Sequence, residues 1–538
     1  MSSSFQLKWR SQPCLTRTSR SYSPFERQAA NQPSQMLRGF GLLCARRQHI
    51  SPHERNMSMY STSPSATAPG SERALATFRH AVENVPAYTK FLSAQDFDPE
   101  SVRSVEDFAD VPATTKGNYV AAYGLDELMH RGDVTGARIW SSSSGSSGQP
   151  THWARSDVSL THSVQLHARI MRQFGADKRS TLLVVCFAMG NWIGGTYTLR
   201  AAEELNQRGF PLSVVAPGVD VETVRENVAT LGKHYEQVVI AGYPPFVRDV
   251  LDGADAAVVR QDLKLLLAGE SIGESWRDGI LDLIGKSGRT EDVCLVYGTA
   301  DAGMMGHETP TSISLRRLAL EHRDVDEALF GGAAASSTLV EYDPAFRYTE
   351  IDSDGRLLFT VDNSIPLVRY RINDVGRILS PHTLGVKLAE LGHRMDLRTS
   401  SGEAGFIVLQ RRADVAVSFY AVNIYPEPVR VALSHPQLVD TITGKFVLAR
   451  RSGIDLRDVL ELRVELRHDT AAQERATTEK AQLICRKVVE ALSSSSSEYR
   501  ELLQILRERA LPRVSFHLFG STDFQYEIKQ TQVEKVSA

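Results

Sequence analysis

The sequence predicts an α/β protein with a large multi-sheet N-terminal domain and a small α+β C-terminal domain. Three observations carry that reading. Short apolar runs alternate with amphipathic segments between about residues 181 and 298. After about residue 335 the texture turns β-rich with short turns. Beyond about residue 413, strand-like and helix-like segments follow that could hold a core of their own. A length of 538 residues leaves room for about three to four domain-equivalents.

The elements follow in chain order. Residues 1–70 hold nine Lys or Arg and two acids, Glu26 and Glu54, and are rich in Ser. That composition suits a mitochondrial transit peptide over 1–55, a disordered extension, or a start site placed too early, since Met57 and Met59 follow. Leu75, Phe78, Val82 and Val85 then recur at helical spacing, with Ser71 as a cap and Pro86 as a stop. Leu160, Val164, Ala168 and Met171 form a second helical stripe over 156–174. TLLVVCFA (181–188), QVVIAG (237–242), LKLLLAG (263–269) and VCLVYG (293–298) read as buried strands, with helices at 221–231 and 274–284 between them. Strands alternating with helices imply a parallel sheet covered on both faces. In the last unit the pattern predicts strands at 442–449 and 458–467, a helix over 470–492, a Ser run at 493–497, then a helix and a strand at 512–519. The domains expected are 72–411 and 412–538.

Composition excludes several classes. The chain is 42% hydrophobic and 23% charged with a net charge of −3, so nothing points to a nucleic acid or a membrane surface as partner. No apolar run reaches the ~20 residues that span a bilayer. Cys14, Cys44, Cys186, Cys294 and Cys485 lack zinc or disulfide spacing. A reducing, cytoplasmic setting fits, with the mitochondrion as the alternative.

Two motifs invite chemistry. WSSSSGSSGQPTHW (140–153) sets a run of small residues between two tryptophans. It is either a flexible linker or a loop whose backbone N–H and hydroxyl groups cradle phosphate. It is not a Walker A loop, and no GxGxxG follows a strand. Gly269-Glu270-Ser271-Ile272-Gly273 is a GxSxG between a strand and a helix, the pattern of a serine-hydrolase elbow, although no HGGG-type loop precedes it.

Further stretches line up in order with one known family. AVENVPAYTKFL and DFADVPATTKGNY (81–119), SSGSSGQPT (143–151), VYGTADAG (296–303), PLVRYRINDVGRI (366–378), RRADVAVSFYAVNIYP (411–426) and FQYEIKQTQVEK (524–535) resemble, respectively, the NVPxY and PxTTK segments, SSGTTGKPT, YGxTEAG, PxxRYRTGDxxxI, GRxDDMxxxxGxNxxP and the C-terminal lysine segment of the phenylacetate–CoA ligase branch of the adenylate-forming superfamily. The resemblance covers about residues 72–538.

It implies an AMP-forming acid–thiol ligase. Such enzymes join a carboxylic acid to ATP as an acyl-AMP, release pyrophosphate, and rotate the small domain to pass the acyl group to CoA. By resemblance, Ser143, Ser144, Gly145, Ser146, Ser147 and Gly148 hold phosphates and Thr299 meets the α-phosphate. Asp301, in place of the family's glutamate, binds Mg²⁺. Tyr297 and Gly298 pack on adenine, Asp374 accepts the ribose hydroxyls and Arg412 binds the nucleotide. Asp414 is the hinge, and Lys529, with Lys535 as the rival, reaches the α-phosphate. A pocket of Phe187, Met189, Trp192, Tyr243, Pro244 and Phe246 suits an aromatic or bulky hydrophobic acid. Gln149, Asn373, Arg411, Val415 and Ala421 depart from the family pattern. The last adds a Cβ near the expected CoA path. An amine, a carrier protein or a reductase is therefore an alternative acceptor, and a serine hydrolase using Ser271 or a non-catalytic nucleotide binder are alternatives of another class. A monomer or homodimer is expected.

Overall fold

The computed structural model describes residues 69–142, 151–412, 416–419, 422–452, 458–468 and 470–524. The expected leader, apart from Pro69 and Gly70, lies outside them.

An eleven-stranded mixed sheet forms the frame. One half is parallel: β3 (Thr181–Val185), β4 (Leu212–Val215), β5 (Gln237–Gly242), β6 (Leu263–Ala268) and β7 (Val293–Thr299). The alternation of side chains along a strand explains its two coats. Leu182, Val184, Val238, Ile240, Leu265 and Leu267 face helices Val221–Leu231, Pro244–Leu251 and Glu274–Leu283. Leu183, Val185, Val239, Ala241 and Leu266 face helices Asp157–Gln173 and Ile193–Gln207. Each such Val, Leu or Ile side chain contributes about 1.5–3 kcal/mol by leaving water.

The other half is antiparallel and holds the β-rich stretch. β8 (Gly303–His307), β9 (Thr338–Tyr342), β10 (Tyr348–Ile351), β11 (Arg356–Val361), β12 (Leu367–Leu379) and β13 (Gly405–Arg412) extend the same sheet beyond β7 in the order β8-β9-β13-β12-β11-β10. Helices Pro310–Glu321, Arg323–Phe330 and Pro381–Glu390, which the periodicity did not predict, cover this half through Leu315, Leu329, Leu384 and Leu388.

Several boundaries differ from expectation. The first helix starts at Gly70 after Pro69, so Ser71 lies inside it, and Pro86 opens the next helix at its N1 position instead of ending the chain's helical run. Proline's fixed φ and missing N–H suit a first turn. The segment 470–492 is two helices, because Thr477 caps a second one at Lys480 N–H. The serine run extends that helix to Ser495, and Ser496 caps its successor.

The C-terminal segment has its own apolar cluster, in which Phe446, Leu448, Leu462 and Val464 meet Ile484, Val488 and Tyr499. A three-stranded sheet of strands Ile442–Ser452, Asp458–Leu466 and Arg513–His517 supports it. It docks on the large part through charges. Buried Lys445 Nζ lies 2.6 Å from Asp249 Oδ2 and 3.3 Å from Glu465 Oε2, and Arg467 pairs with Asp252 at 2.6 Å. Among the described residues no helix is long and apolar enough to cross a membrane, and Cys186, Cys294 and Cys485 are free thiols.

Candidate active site

The Gly/Ser run closes a hairpin. β1 (Ile139–Ser142) pairs antiparallel with β2 (His152–Arg155), and Ser142 stands opposite His152. The Ser142 N–H also donates to the Asn191 carbonyl at 2.9 Å. Strands that pair with each other at both ends of the run exclude a tether between two independent domains. Residues Ser143 to Gly148 themselves lie outside the described residues.

The turn between β7 and β8 faces that stem. Thr299 Oγ1 accepts the Ala302 N–H at 2.9 Å and closes the turn. Gly303 sits at φ +80°, and a Cβ on Gly298 would come 3.1 Å from the Gly303 carbonyl. The left-handed backbone requires a glycine at 303, and the space beside the Gly303 carbonyl is tight for a side chain at 298.

Two buried arginines hold the turn from beneath, and neither was anticipated from sequence. Arg155, at the end of β2, donates to the Ala300 carbonyl and, at 2.7 Å, to the Asp301 carbonyl. Arg347 donates to the Ala302 carbonyl at 2.9 Å. Both are 0% exposed. Burying a guanidinium is costly unless its N–H groups find acceptors, and carbonyls meet that need for all but Arg155 Nε and one terminal nitrogen of Arg347. Arg155 also lies over the Tyr197 ring, 5.8 Å from its centroid. Arg347 donates to the Phe346 carbonyl at 2.6 Å and to His162 Nδ1 at 3.3 Å. A guanidinium cannot accept, so His162 Nδ1 is unprotonated. Burial, then the Arg347 charge, keeps His162 well below the usual imidazole range, and burial pushes Arg347 down to about 10.

Two tyrosine–carboxylate bonds then join the turn to β12. The Tyr370 hydroxyl donates to Asp301 Oδ2 at 2.7 Å, and the Tyr297 hydroxyl donates to Asp374 Oδ2 at 2.6 Å. Burial, then the Asp301 carboxylate, pushes the Tyr370 phenol well up. Trp153 from β2 meets Tyr370 edge-on at 6.2 Å. Asp374 stands opposite Arg412 in the β12–β13 register. The two tyrosine–carboxylate bonds therefore bring Tyr297, Gly298, Thr299 and Asp301, at the end of β7 and in its turn, to Asp374 and the backbone of Arg412 on β12 and β13, which β8 and β9 separate from β7 in the sheet.

β12 also binds the early PATTK segment. Arg371 N–H donates to the Thr114 carbonyl, and Thr114 Oγ1 to the Val368 carbonyl, each at 2.8 Å. Between them Arg369 takes φ +44°, a left-handed conformation rare for a bulky residue. Its side chain offsets that strain by donating to the Ala109 and Val111 carbonyls and to Glu350.

The expected acyl-pocket residues divide. Tyr243 and Phe187 follow the carboxyl ends of β5 and β3 and meet edge-on at 5.2 Å. Trp192 is half-buried at the N-cap of helix Ile193–Gln207. Phe246 is buried in the apolar cluster between helix Pro244–Leu251 and the sheet.

The GxSxG stretch is pinned structurally. Gly269 alone carries the left-handed turn, at φ +93°, while Ser271 has ordinary backbone. A nucleophile elbow strains the serine itself. Ser271 Oγ accepts from Arg430 at 2.6 Å, and Arg316 donates to the Ile272 carbonyl at 2.8 Å. The stretch is a docking point for the C-terminal segment. Asp414, Val415, Ala421, Lys529 and Lys535 lie outside the described residues.

As for chemistry, Asp301 offers hard carboxylate oxygen at the tip of a rigid turn, the donor type Mg²⁺ takes. Asp374 offers a carboxylate that can accept two hydroxyls.

No family model matches the chain. The chain is 23% identical over 331 residues to a phenylacetate–coenzyme A ligase of Aromatoleum evansii, covering 60% of this chain and 69% of that one. It is 24% identical over 367 residues to a phenylacetate–coenzyme A ligase of Escherichia coli (strain K12), covering 65% and 72%. In fold it is similar to a 2-hydroxyisobutyryl-CoA ligase solved in its postadenylation state with R3-HIB-AMP, at a TM-score of 0.55 and 17% identity over 87% of this chain and 90% of that one.

Proposed function

We propose that this chain, a phenylacetate–CoA ligase-like enzyme of the adenylate-forming superfamily, activates a carboxylic acid with ATP and transfers the acyl group to CoA. The observation that carries the reading is the pair of bonds Tyr297–Asp374 and Tyr370–Asp301. They set two carboxylates, suited to a ribose and to a cation, on one rigid rim beside the Gly/Ser hairpin.

In the first step a carboxylate oxygen of the acid attacks the α-phosphorus of ATP, the bond to the β-phosphate breaks, and pyrophosphate leaves. In the second the CoA thiol gives up its proton, its sulfur attacks the acyl carbon, and AMP leaves. Mg²⁺, when bound, offsets charge on the phosphate oxygens. Asp301 would hold it, oriented by Tyr370. Ser143, Ser144, Gly145, Ser146, Ser147 and Gly148 would supply donors to the phosphates, and Thr299 a hydroxyl to the α-phosphate. Asp374 would fix the ribose and Tyr297 and Gly298 flank the adenine. Arg412 and Lys529 would bring cations, with Asp414 as the pivot of a mobile C-terminal domain spanning 412–538. Phe187 and Tyr243 at the strand ends, with Trp192 at the N-cap of helix Ile193–Gln207, favour an aromatic or bulky hydrophobic acid, in the crevice where α/β sheets take ligands.

The test is product analysis with ATP, CoA and a panel of aromatic and aliphatic acids, with hydroxylamine as a second acceptor. A thioester plus AMP from one class of acid supports the reading. Hydroxamate without thioester keeps adenylation and moves the acceptor to an amine or carrier protein.

A further inference from the structure

We propose that His322, Asp324 and His393 form a zinc site remote from the β7–β8 turn. Their ligand atoms all lie within 4.8 Å of one another, although the two histidines come from different parts of the chain. The imidazole rings stand 4.4 Å apart at 59°.

Each ligand is mounted on a fixed piece of backbone. His322 is at once the C-cap of helix Pro310–Glu321 and the N-cap of helix Arg323–Phe330. Its N–H donates to the Leu318 carbonyl at 2.9 Å, and its carbonyl accepts from Asp326 N–H at 3.0 Å. His393 follows helix Pro381–Glu390 and donates its N–H to the Leu388 carbonyl at 2.8 Å. Leu315, Val325, Leu329, Leu384 and Leu388 share the apolar cluster beneath, so both histidines ride on one packed layer. Asp324 Oδ1 is turned in by the Val325 N–H at 3.0 Å.

The donor set chooses the ion. Two imidazoles and one carboxylate suit Zn²⁺, whereas Mg²⁺ prefers oxygen alone. A tetrahedral Zn²⁺ holds its donors about 3.3 Å apart, within reach of side-chain rotations of about an ångström. Among the described residues neither imidazole of this pair has a hydrogen-bond partner, so no protein contact need be broken for binding. The two rings are half-buried and Asp324 is exposed, which leaves a path for the ion and a fourth position for water. Bound there, zinc ties the junction of two helices to the end of a third and stabilises the helical layer over the antiparallel half of the sheet.

The experiment uses the full chain, stripped with EDTA and dialysed against limiting Zn²⁺. The wild type, H322A, H393A, D324N and D301A are compared by metal analysis and by melting with and without Zn²⁺. Co²⁺ replaces Zn²⁺ in a parallel arm to report tetrahedral absorption. The site predicts about one Zn²⁺ per wild-type chain, a melting point raised by the metal, and retention of both in D301A. H322A and H393A lose the bound metal and the shift while melting, metal-free, as the stripped wild type does. Zinc uptake unchanged in both histidine variants overturns the site, and so does a wild type that takes up none. Loss in D301A with retention in H322A overturns it as well and assigns the ion to the β7–β8 turn.

Discussion

The Tyr297 hydroxyl donates to Asp374 Oδ2 at 2.6 Å, joining the end of β7 to the middle of β12. A hydrogen bond to a charged group contributes about 1.5–3 kcal/mol. If Asp374 binds the ribose, that bond sets the direction of its oxygens. Tyr297→Phe is expected to raise the KM for ATP about tenfold with a smaller change in kcat, and Asp374→Ala to raise it further. Steady-state kinetics at saturating acid checks this. An unchanged KM for ATP in both variants removes the ribose role.

Asp301 and Tyr370 make a separate prediction. Asp301→Glu, which restores the residue of the resembling family, is expected to keep activity at a shifted Mg²⁺ optimum. Asp301→Ala is expected to lower kcat/KM by about a hundredfold, the scale of losing one well-placed charge-stabilising group. Tyr370→Phe should fall between, because the carboxylate stays but loses its orienting donor. Activity titrated against Mg²⁺ separates the three.

Arg155 and Arg347 are expected to govern stability first. Between them they satisfy the successive carbonyls of Ala300, Asp301 and Ala302. Removing a buried partner leaves each such carbonyl at a cost of about 1–3 kcal/mol. Arg155→Met should lower stability by about 3 kcal/mol or more in urea unfolding. A loss under 1 kcal/mol would mean that water replaces the guanidinium.

His167 supplies a pH dependence. It is buried in helix Asp157–Gln173, its Nδ1 2.8 Å from the Ser163 carbonyl, and burial pushes it down to about 4 from an ordinary 6.5. Between those values the unfolded chain binds the proton and the folded chain does not. Its contribution is therefore whole above about pH 6.5 and is lost as pH falls toward 4, by up to about 1.4 kcal/mol per unit. Melting points measured from pH 7.5 to 4.5 should fall more steeply in the wild type than in His167→Asn.

Four strands of the parallel half were legible because they are continuous apolar runs, and helix Val221–Leu231 because it keeps one stripe at Val224 and Val228; the short edge strand β4 and helix Ile193–Gln207 were not. The helices at Pro310, Arg323 and Pro381 were missed, although Thr309-Pro310 and Ser380-Pro381 are cap-plus-proline starts. Those start signals were present but no long apolar stripe drew attention to them. In the site, Tyr297, Asp301 and Asp374 could be picked out because they sit in ordered motifs. Arg155 and Arg347 could not: their role lies in which carbonyls they meet, and that depends on two strand ends coming together.

Pyrophosphate release from ATP across a panel of acids tests adenylation most directly. The prediction is release that depends on the acid and on Mg²⁺, rises with CoA, and drops in Asp301→Ala and Asp374→Ala. Release that ignores the acid, or acid-dependent release that survives unchanged in both variants, would contradict it.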